Sequence, residues 1–137
     1  MITRQSHTTV YVLDQDRAKD FYVGKLGFEV RDDARMGEFR WLSVGPKAQP
    51  NFRIVLMALA PNPAMNAEQC KQLRTLMEAG VGLGGGVLVT DNLDREYQDL
   101  KGKGVVFTEP PTRNPWGYAA VFKDDSGNYY SLGETDE

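Results

Sequence analysis

The feature that most constrains this chain is an internal repeat, in which the order strand, helix, strand, strand, strand occurs twice. The segment DQDRAKDFYVGKLGFEV aligns with DNLDREYQDLKGKGVVF at an offset of 77 or 78 residues, with one residue deleted near the helix end. The repeat is imperfect residue by residue, but it matches in element order, spacing and glycine positions. Each unit carries an apolar sheet face that it cannot bury alone. The two units must therefore cover their sheets against each other or against a partner chain.

The first unit begins with a strand and a helix. The segment Thr8–Val12 (TTVYV) is β-branched and aromatic, which is typical of a strand. Asp14 supplies a polar start for the following helix, whose apolar residues recur at helical spacing until Gly27 ends it. Three further strands are predicted at Phe28–Arg31, Phe39–Val44 and Phe52–Leu59. We interpret Asp32-Asp33 as a turn between the first two of these strands.

A linker helix and the second unit follow. Asn66 is a candidate N-cap answered by Gln69, which predicts a helix over Ala67–Ala79. The second unit is predicted to contain a strand at Val87–Thr90, a helix from Asp91-Asn92 to Gly104, and strands at Val105–Thr108, Tyr118–Phe122 and Tyr129–Leu132. The glycines at 84–86 indicate a β-bulge or a close backbone approach at the module junction. We interpret Asp124-Asp125 as a solvated turn.

These elements predict one α+β domain over residues 1–137, built from two βαβββ modules in tandem. Module 1 covers about 1–60, the linker helix about 64–80 and module 2 about 84–134. The net charge of −3 and the pI near 5.2 argue against a nucleic-acid partner and against binding to an anionic membrane. The chain also lacks a signal-peptide pattern at its start and a run of 18 apolar residues, so we expect a cytoplasmic protein.

The order and spacing of these elements resemble the glyoxalase/bleomycin-resistance/dioxygenase (vicinal oxygen chelate) superfamily. The stretches that carry the resemblance are HTTVYVLDQDRAKDFYVGKLGFEV, RWLSVGPKAQP and LDREYQDLKGKGVVFTEPPTRNPWGYAAVFKDDSGNYYSL, which together span nearly the whole chain. The resemblance implies that the two modules curl their sheets into a cup-shaped mixed sheet around one cavity. It also implies a homodimer, since members of this superfamily commonly pair, some with modules exchanged between chains.

The resemblance further implies four positions for ligands of a divalent metal, and this sequence keeps only one of them. His7 occupies the position before the first strand, but the matching position in module 2 is Gly85. Residues 48–60 contain no Asp, Glu, His or Cys, and the position on the last strand is Ser131. The displaced Glu134 is the other candidate ligand. Because a catalytic zinc or iron site needs about three protein ligands, we expect a metal-free member without a cofactor.

The same resemblance and strand alternation predict which residues line the cavity. The candidate ligand-binding residues are His7, Thr9, Tyr11, Trp41, Arg53, Met57, Trp116 and Ser131. Val87 and Val89 would also face inward. Trp41 and Trp116 are suited to stacking on a flat ligand, and an inward Arg53 would favour an anionic or carbonyl-bearing one. Structural alternatives stay open: His7 as a hydrogen-bonded wall residue, Met57 as core, Trp41 as a seal between modules, and Arg53 on a sheet edge.

The leading functional hypothesis is a small-molecule-binding protein of the bleomycin-resistance type that holds its ligand in the cavity between its two modules and acts without the family's metal. A metal-independent enzyme on the same scaffold is its companion. The alternative is a metal-dependent glyoxalase-like lyase or extradiol-type dioxygenase with displaced ligands. A further alternative is an interaction module whose cavity is filled by its own side chains. The catalytic residues, if there are any, do not follow from the sequence.

Overall fold

The computed structural model describes residues 1–134. Module 1 consists of β1 (His7–Val12), α1 (Gln15–Lys19, continued by a π-helical segment over Asp20–Lys25), β2 (Glu29–Met36), β3 (Phe39–Gly45) and β4 (Arg53–Ala58). A linker helix, α2 (Ala67–Glu78), leads to module 2, which consists of β5 (Gly84–Thr90), α3 (Leu93–Gly102), β6 (Val106–Asn114), β7 (Gly117–Lys123) and β8 (Tyr129–Glu134). No helix within the described residues is long and apolar enough to cross a membrane.

Each module forms its own four-stranded mixed sheet. The strand order is β1-β4-β3-β2 in module 1 and β5-β8-β7-β6 in module 2. In both sheets the first strand of the module pairs in parallel with the last, and the other pairs are antiparallel. The two sheets therefore have the same order and directions, which confirms the prediction of tandem βαβββ modules.

Polar side chains start the three helices where the sequence predicts. The carboxylate of Asp14 accepts a hydrogen bond from the backbone N–H of Arg17, and Asn92 caps α3 in the same way. Asn66 and Gln69 form a reciprocal capping box at the start of α2. After α1, the chain turns at Gly27, whose φ of 76° favours glycine.

One hydrophobic core joins the two modules. Along β1, Val10 and Val12 are buried while Thr9 is exposed, as the period of a half-buried strand requires. Phe21 of α1 packs against Phe122 of β7 with 6.5 Å between ring centroids. The largest fully buried side chains of this core are Tyr22, Tyr130, Phe122, Leu42, Leu56, Leu93, Val12 and Val44. The modules thus bury the helix-facing sides of their sheets together, which leaves the opposite sides at the surface.

Strands β2 and β6 extend furthest beyond their predicted ends. The sequence places a turn at Asp32-Asp33, but both residues lie within β2. Their carboxylates are paired, because Asp32 binds Arg53 and Asp33 binds Arg40 and Lys19. These partners come from other elements. The local sequence therefore does not show that the charges of the two carboxylates are balanced. The prediction of a turn is wrong for this reason. Likewise β6 runs on to Asn114, past the predicted end at Thr108, through two irregularities in its pairing.

The turn between β7 and β8, Asp124–Asn128, is a buried polar joint between the modules rather than a solvated turn. The Tyr22 phenol donates a 2.7 Å hydrogen bond to Asp124 Oδ2 and lies 2.9 Å from the Tyr130 phenol. Because the single proton of Tyr22 goes to Asp124, Tyr130 must be the donor in the second bond. Burial is the main cause that raises the pKa of both phenols, so both keep the protons that these bonds need.

The same turn also bonds to the end of β1. The Asn128 side chain donates a 2.8 Å hydrogen bond to the Tyr11 carbonyl, and the Ser126 hydroxyl accepts one from Leu13 N–H at 2.8 Å. Asp124 Oδ1 accepts hydrogen bonds from the backbone N–H groups of Ser126 and Asn128. The Asp124 carboxylate therefore holds the turn in the shape that fits module 1. The prediction of a solvated turn is wrong because local sequence does not reveal these distant partners.

Asp125 sits at the edge of this joint in an unfavourable environment. Its Oδ1 is buried without a hydrogen-bond partner among the described residues. Burial, and then the charge of Asp124, raise the pKa of Asp125 to about 6. At neutral pH the folded protein therefore holds a partly desolvated, ionised carboxylate.

We predict that Tyr22→Phe lowers the free energy of unfolding by about 1–2 kcal/mol, because Asp124 loses a buried donor and Tyr130 loses its acceptor. Urea denaturation followed by circular dichroism measures the change. Tyr97→Phe is the matched control, since the Tyr97 ring packs against Phe107 at 4.7 Å between centroids while its hydroxyl makes no hydrogen bond within residues 1–134. Equal stability of the two variants would contradict this role for the joint.

We predict that Asp125→Asn stabilises the protein at pH 7.5 by about 1 kcal/mol, a figure discounted for partial solvent exposure. The folded-state pKa of Asp125 is raised, so its contribution to stability is fully present below pH about 4 and is lost as pH rises through about 6. The variant's advantage should vanish at pH 4. Unfolding curves at both pH values measure it, with the exposed Asp91→Asn as control. An advantage that is independent of pH would refute the prediction.

Candidate ligand-binding site

The outer face of module 1, which is the side of its sheet turned away from the helices, carries most of the predicted ligand-binding residues. The register pairs His7 with Arg53, Thr9 with Val55, and Tyr11 with Met57 across β1 and β4. Ser43 of β3 pairs with Val55, so Trp41 and Phe39 lie on the same face by alternation. Six of the eight predicted residues therefore share this face: His7, Thr9, Tyr11, Trp41, Arg53 and Met57.

A cavity of about 410 Å³ opens at one end of this outer face. Its strand residues include Thr9, Tyr11, Met57 and Phe39, and its rim includes Asn62 from the loop after β4. The Asn62 amide donates a 3.2 Å hydrogen bond to the Tyr11 hydroxyl, which ties that loop to the strand. The cavity has the volume of a small-molecule site and is lined by module 1 alone.

A fixed polar group stands at the other end of the same face. The Asp32 carboxylate accepts hydrogen bonds from the Ser43 hydroxyl at 2.5 Å and from Arg53 Nε at 3.1 Å. The Ser43 hydrogen bond is the main cause that lowers the pKa of Asp32, and the Arg53 charge acts in the same direction. Asp32 is therefore ionised at neutral pH and forms an ion pair with Arg53. We call these three residues the Arg53 group.

His7 lies beside this group with few constraints. Its Nδ1 is 2.6 Å from the Ser6 hydroxyl, and its ring centroid is 6.2 Å from that of Trp41. No carboxylate within residues 1–134 hydrogen-bonds to the imidazole. His7 and Trp41 together place two aromatic rings on the outer face near the Arg53 group, which suits contact with a planar molecule.

The remaining two predicted residues belong to module 2. Ser131 of β8 pairs with Val87 and Val121, so all three lie on the outer face of module 2. Val87 and Val89 are 73% and 61% exposed there. Trp116 stands in the turn between β6 and β7 and is 79% exposed. Within one chain, these residues therefore lie on a different sheet from the six residues of module 1.

The donor set does not fit the divalent metal that the superfamily fold implies. Arg53, a cation, occupies the position beside His7 where a ligand is needed. Gly85 offers no side chain, and a Cβ there would lie 2.4 Å from the Tyr130 ring. The Glu134 carboxylate accepts a 2.6 Å hydrogen bond from Leu93 N–H at the start of α3. Residues 1–134 contain no group of three or more His, Cys, Asp or Glu side chains placed to hold a metal ion.

Sequence reasoning missed Asp32, Ser43 and Phe39 as residues of this face. Phe39 and Ser43 were recoverable, because they alternate with Trp41 along a correctly predicted strand. Asp32 was not, since its assignment to a turn removed it from the sheet. Its position depends on the bulge between Val30 and Asp32, which shifts the pairing of β2 with β3.

The fold and the sequence agree with one protein family. The model of the Glyoxalase/Bleomycin resistance protein/Dioxygenase superfamily matches residues 4–132. The chain belongs to this superfamily.

Several solved structures resemble this chain over nearly its full length. UcmS2 is 47% identical with a TM-score of 0.89, and the match covers 98% of this chain and 100% of UcmS2. TnmS3, an antibiotic binding protein from Streptomyces sp. CB03234, is 32% identical with a TM-score of 0.76 and 98% coverage of both chains. A superfamily member from Sphaerobacter thermophilus DSM 20745 is also 32% identical, with a TM-score of 0.74 and 98% coverage of both chains.

We predict that Gly85→Ala destabilises the protein by about 1–3 kcal/mol, because the new methyl group overlaps the buried Tyr130 ring. Gly102→Ala is the control: its Cβ would meet nothing within 4 Å, and alanine favours the helical conformation of α3. Urea midpoints of both variants test the prediction. A Gly85→Ala protein as stable as the wild type would mean that the space beside Tyr130 is open.

Proposed function

We propose that this protein binds a flat, largely apolar small molecule on the outer face of module 1 without a metal. A second copy of the chain closes the site with the outer face of its module 2. The observation that carries the proposal is the cavity of about 410 Å³ on a face whose side chains are mainly aromatic or apolar. The antibiotic-binding relative TnmS3 supports the same class of function.

The chemistry of the site favours binding over metal-dependent catalysis. Met57, Phe39 and Trp41 offer apolar and aromatic surface, and the Arg53 group offers polar anchoring at one end. His7 has no carboxylate to orient it as a base within the described residues. The missing metal ligands disfavour the lyase and dioxygenase alternatives, which rely on Lewis-acid chemistry.

The exposed valines of module 2 support the pairing of two copies of the chain. Val87 and Val89 lie exposed to water on an open sheet face. Covering them with another surface would therefore lower the free energy of the protein. The outer face of module 1 is also accessible, so each chain carries one module 1 face and one module 2 face. A two-fold pairing brings the two kinds of face together twice, which buries both and encloses two equivalent sites. Ser131 and Trp116 would then reach the ligand from the partner subunit.

We expect 2-acetonaphthone, a neutral planar probe, to raise the melting temperature of the dimeric wild-type protein. Met57→Arg should abolish the shift by filling and charging the cavity, whereas Leu76→Arg, an equivalent change on exposed α2, should not. Val87→Glu should give a monomer by light scattering and also lose the shift, with Leu76→Glu as its control. Differential scanning fluorimetry and light scattering make these measurements.

Three results would contradict the proposal. A melting temperature unchanged by the probe removes the ligand site. A monomeric wild-type protein, or a Val87→Glu variant that remains dimeric, removes the second copy. Stoichiometric iron, manganese, nickel or zinc in the purified protein, lost in His7→Ala, would restore the metal-dependent alternative.

A further inference from the structure

Two ion pairs stand at the end of the outer face of module 1 opposite the cavity, Arg53–Asp32 and Arg31–Glu29. The Arg31 guanidinium also donates to the carbonyls of Pro46 and Gln49, so the Arg53–Asp32 pair is the one with donors left for a ligand. Arg53 and Asp32 are each about one-third exposed, with side-chain exposures of 35% and 36%. Both therefore reach the surface of the face. Ser43, which is buried, fixes the Asp32 carboxylate from below through its 2.5 Å hydrogen bond. The pair is therefore held in place before any ligand arrives.

Arg53 uses only part of its hydrogen-bonding capacity. Its Nε binds Asp32 at 3.1 Å, and neither Nη nitrogen has a hydrogen-bond partner within residues 1–134. These two nitrogens carry four N–H donors in a plane fixed by the Nε contact. They are therefore free to bind an oxygen atom of a ligand in place of water.

The position of Arg53 matches a ligand that also occupies the cavity. Arg53 and Met57 are four residues apart on β4, with Val55 between them on the same face. At about 3.3 Å per residue, their Cα atoms are roughly 13 Å apart. A planar ligand that spans this distance above the buried Val55 contacts Met57 at one end and Arg53 at the other.

The charges around the anchor decide between a neutral and an anionic oxygen. Asp32 is ionised and cancels the positive charge of Arg53. Glu38 and Arg40 both line the cavity at the other end of the face, where Arg40 is paired with Asp33 and Asp16 and Glu38 adds a negative charge. A carboxylate bound to Arg53 would lie beside Asp32 and pay for that repulsion, whereas a carbonyl oxygen accepts the same N–H donors without it.

We propose that the Arg53 group selects a neutral carbonyl-bearing aromatic ligand and rejects the corresponding carboxylate. This inference rests on the proposed function of the same face. It makes Asp32 a specificity-determining residue: it contributes by setting the charge and orientation of Arg53. It also narrows the expectation from sequence, that Arg53 favours an anionic or carbonyl-bearing ligand, to the carbonyl-bearing one.

The test compares three probes on one ring system by quenching of tryptophan fluorescence: naphthalene, 2-acetonaphthone and 2-naphthoate. We expect the wild-type protein to bind the ketone at least about tenfold more tightly than the carboxylate, with naphthalene weaker than the ketone. In Asp32→Asn, Arg53 loses its counter-charge, so the order of ketone and carboxylate should reverse. In Arg53→Gln, the affinity for the ketone should decrease toward the affinity for naphthalene. Asp91→Asn removes the same charge from an exposed position and should keep the wild-type order.

The outcomes separate the inference from the function on which it rests. If the wild-type protein binds none of the three probes, the proposed function of this face fails. If it binds naphthalene and the ketone but binds the carboxylate equally well or better, the face is an aromatic site and the role of Asp32 is overturned. Unchanged selectivity in a folded Asp32→Asn protein overturns it as well. If that variant does not fold by circular dichroism, Arg53→Gln decides: a ketone affinity equal to that of the wild type refutes the anchor.

Discussion

The hydrogen bond from the Tyr22 phenol to the Asp124 carboxylate is the interaction on which the arrangement of the two modules depends. It joins α1 of module 1 to the β7–β8 turn of module 2 inside the shared core. A buried carboxylate is costly unless it is fully bonded, and the turn itself supplies Asp124 with donors from Ser126 and Asn128. The remaining donor, the Tyr22 phenol, is in place only when the modules meet in this orientation. The apolar core provides most of the free energy that holds the modules together, but it is not directional. The Tyr22–Asp124 hydrogen bond is directional and favours one relative orientation of the modules.

The orientation of the modules determines where a ligand can bind. Because the helix-facing sides of both sheets are used in the core, the outer faces are the surfaces left for other molecules. Module 1 offers there a cavity and the Arg53 group, while module 2 offers mainly valines. The two faces differ in chemistry although the modules share a topology. The two copies of the unit thus differ in surface: module 1 has a recessed, largely apolar face with a polar anchor at one end, and module 2 has an apolar face with exposed valines.

Much of the fold was predictable from sequence because its signals are local. The caps at Asp14, Asn66 and Asn92 and the alternation along β1 depend on neighbours within a few residues. The bulge expected at glycines 84–86 is present between Gly84 and Gly86. The errors at Asp32-Asp33 and Asp124-Asp125 have one cause. A paired carboxylate looks like a solvated surface residue until its distant partners are known, and the partners of Asp33, Asp32 and Asp124 from other elements lie from 7 to 102 residues away. The same limit hid Asp32 from the candidate site.

The contact between Gly85 and Tyr130 limits which residues can stand at position 85. Any side chain placed there would first require replacement of the Tyr130 ring that fills the space. That replacement would also remove the phenol that donates to Tyr22 and so weaken the union of the modules. A side chain at position 85 and the Tyr130 ring therefore exclude each other. The packing that joins the two modules also closes this corner of the module 2 sheet to any further side chain.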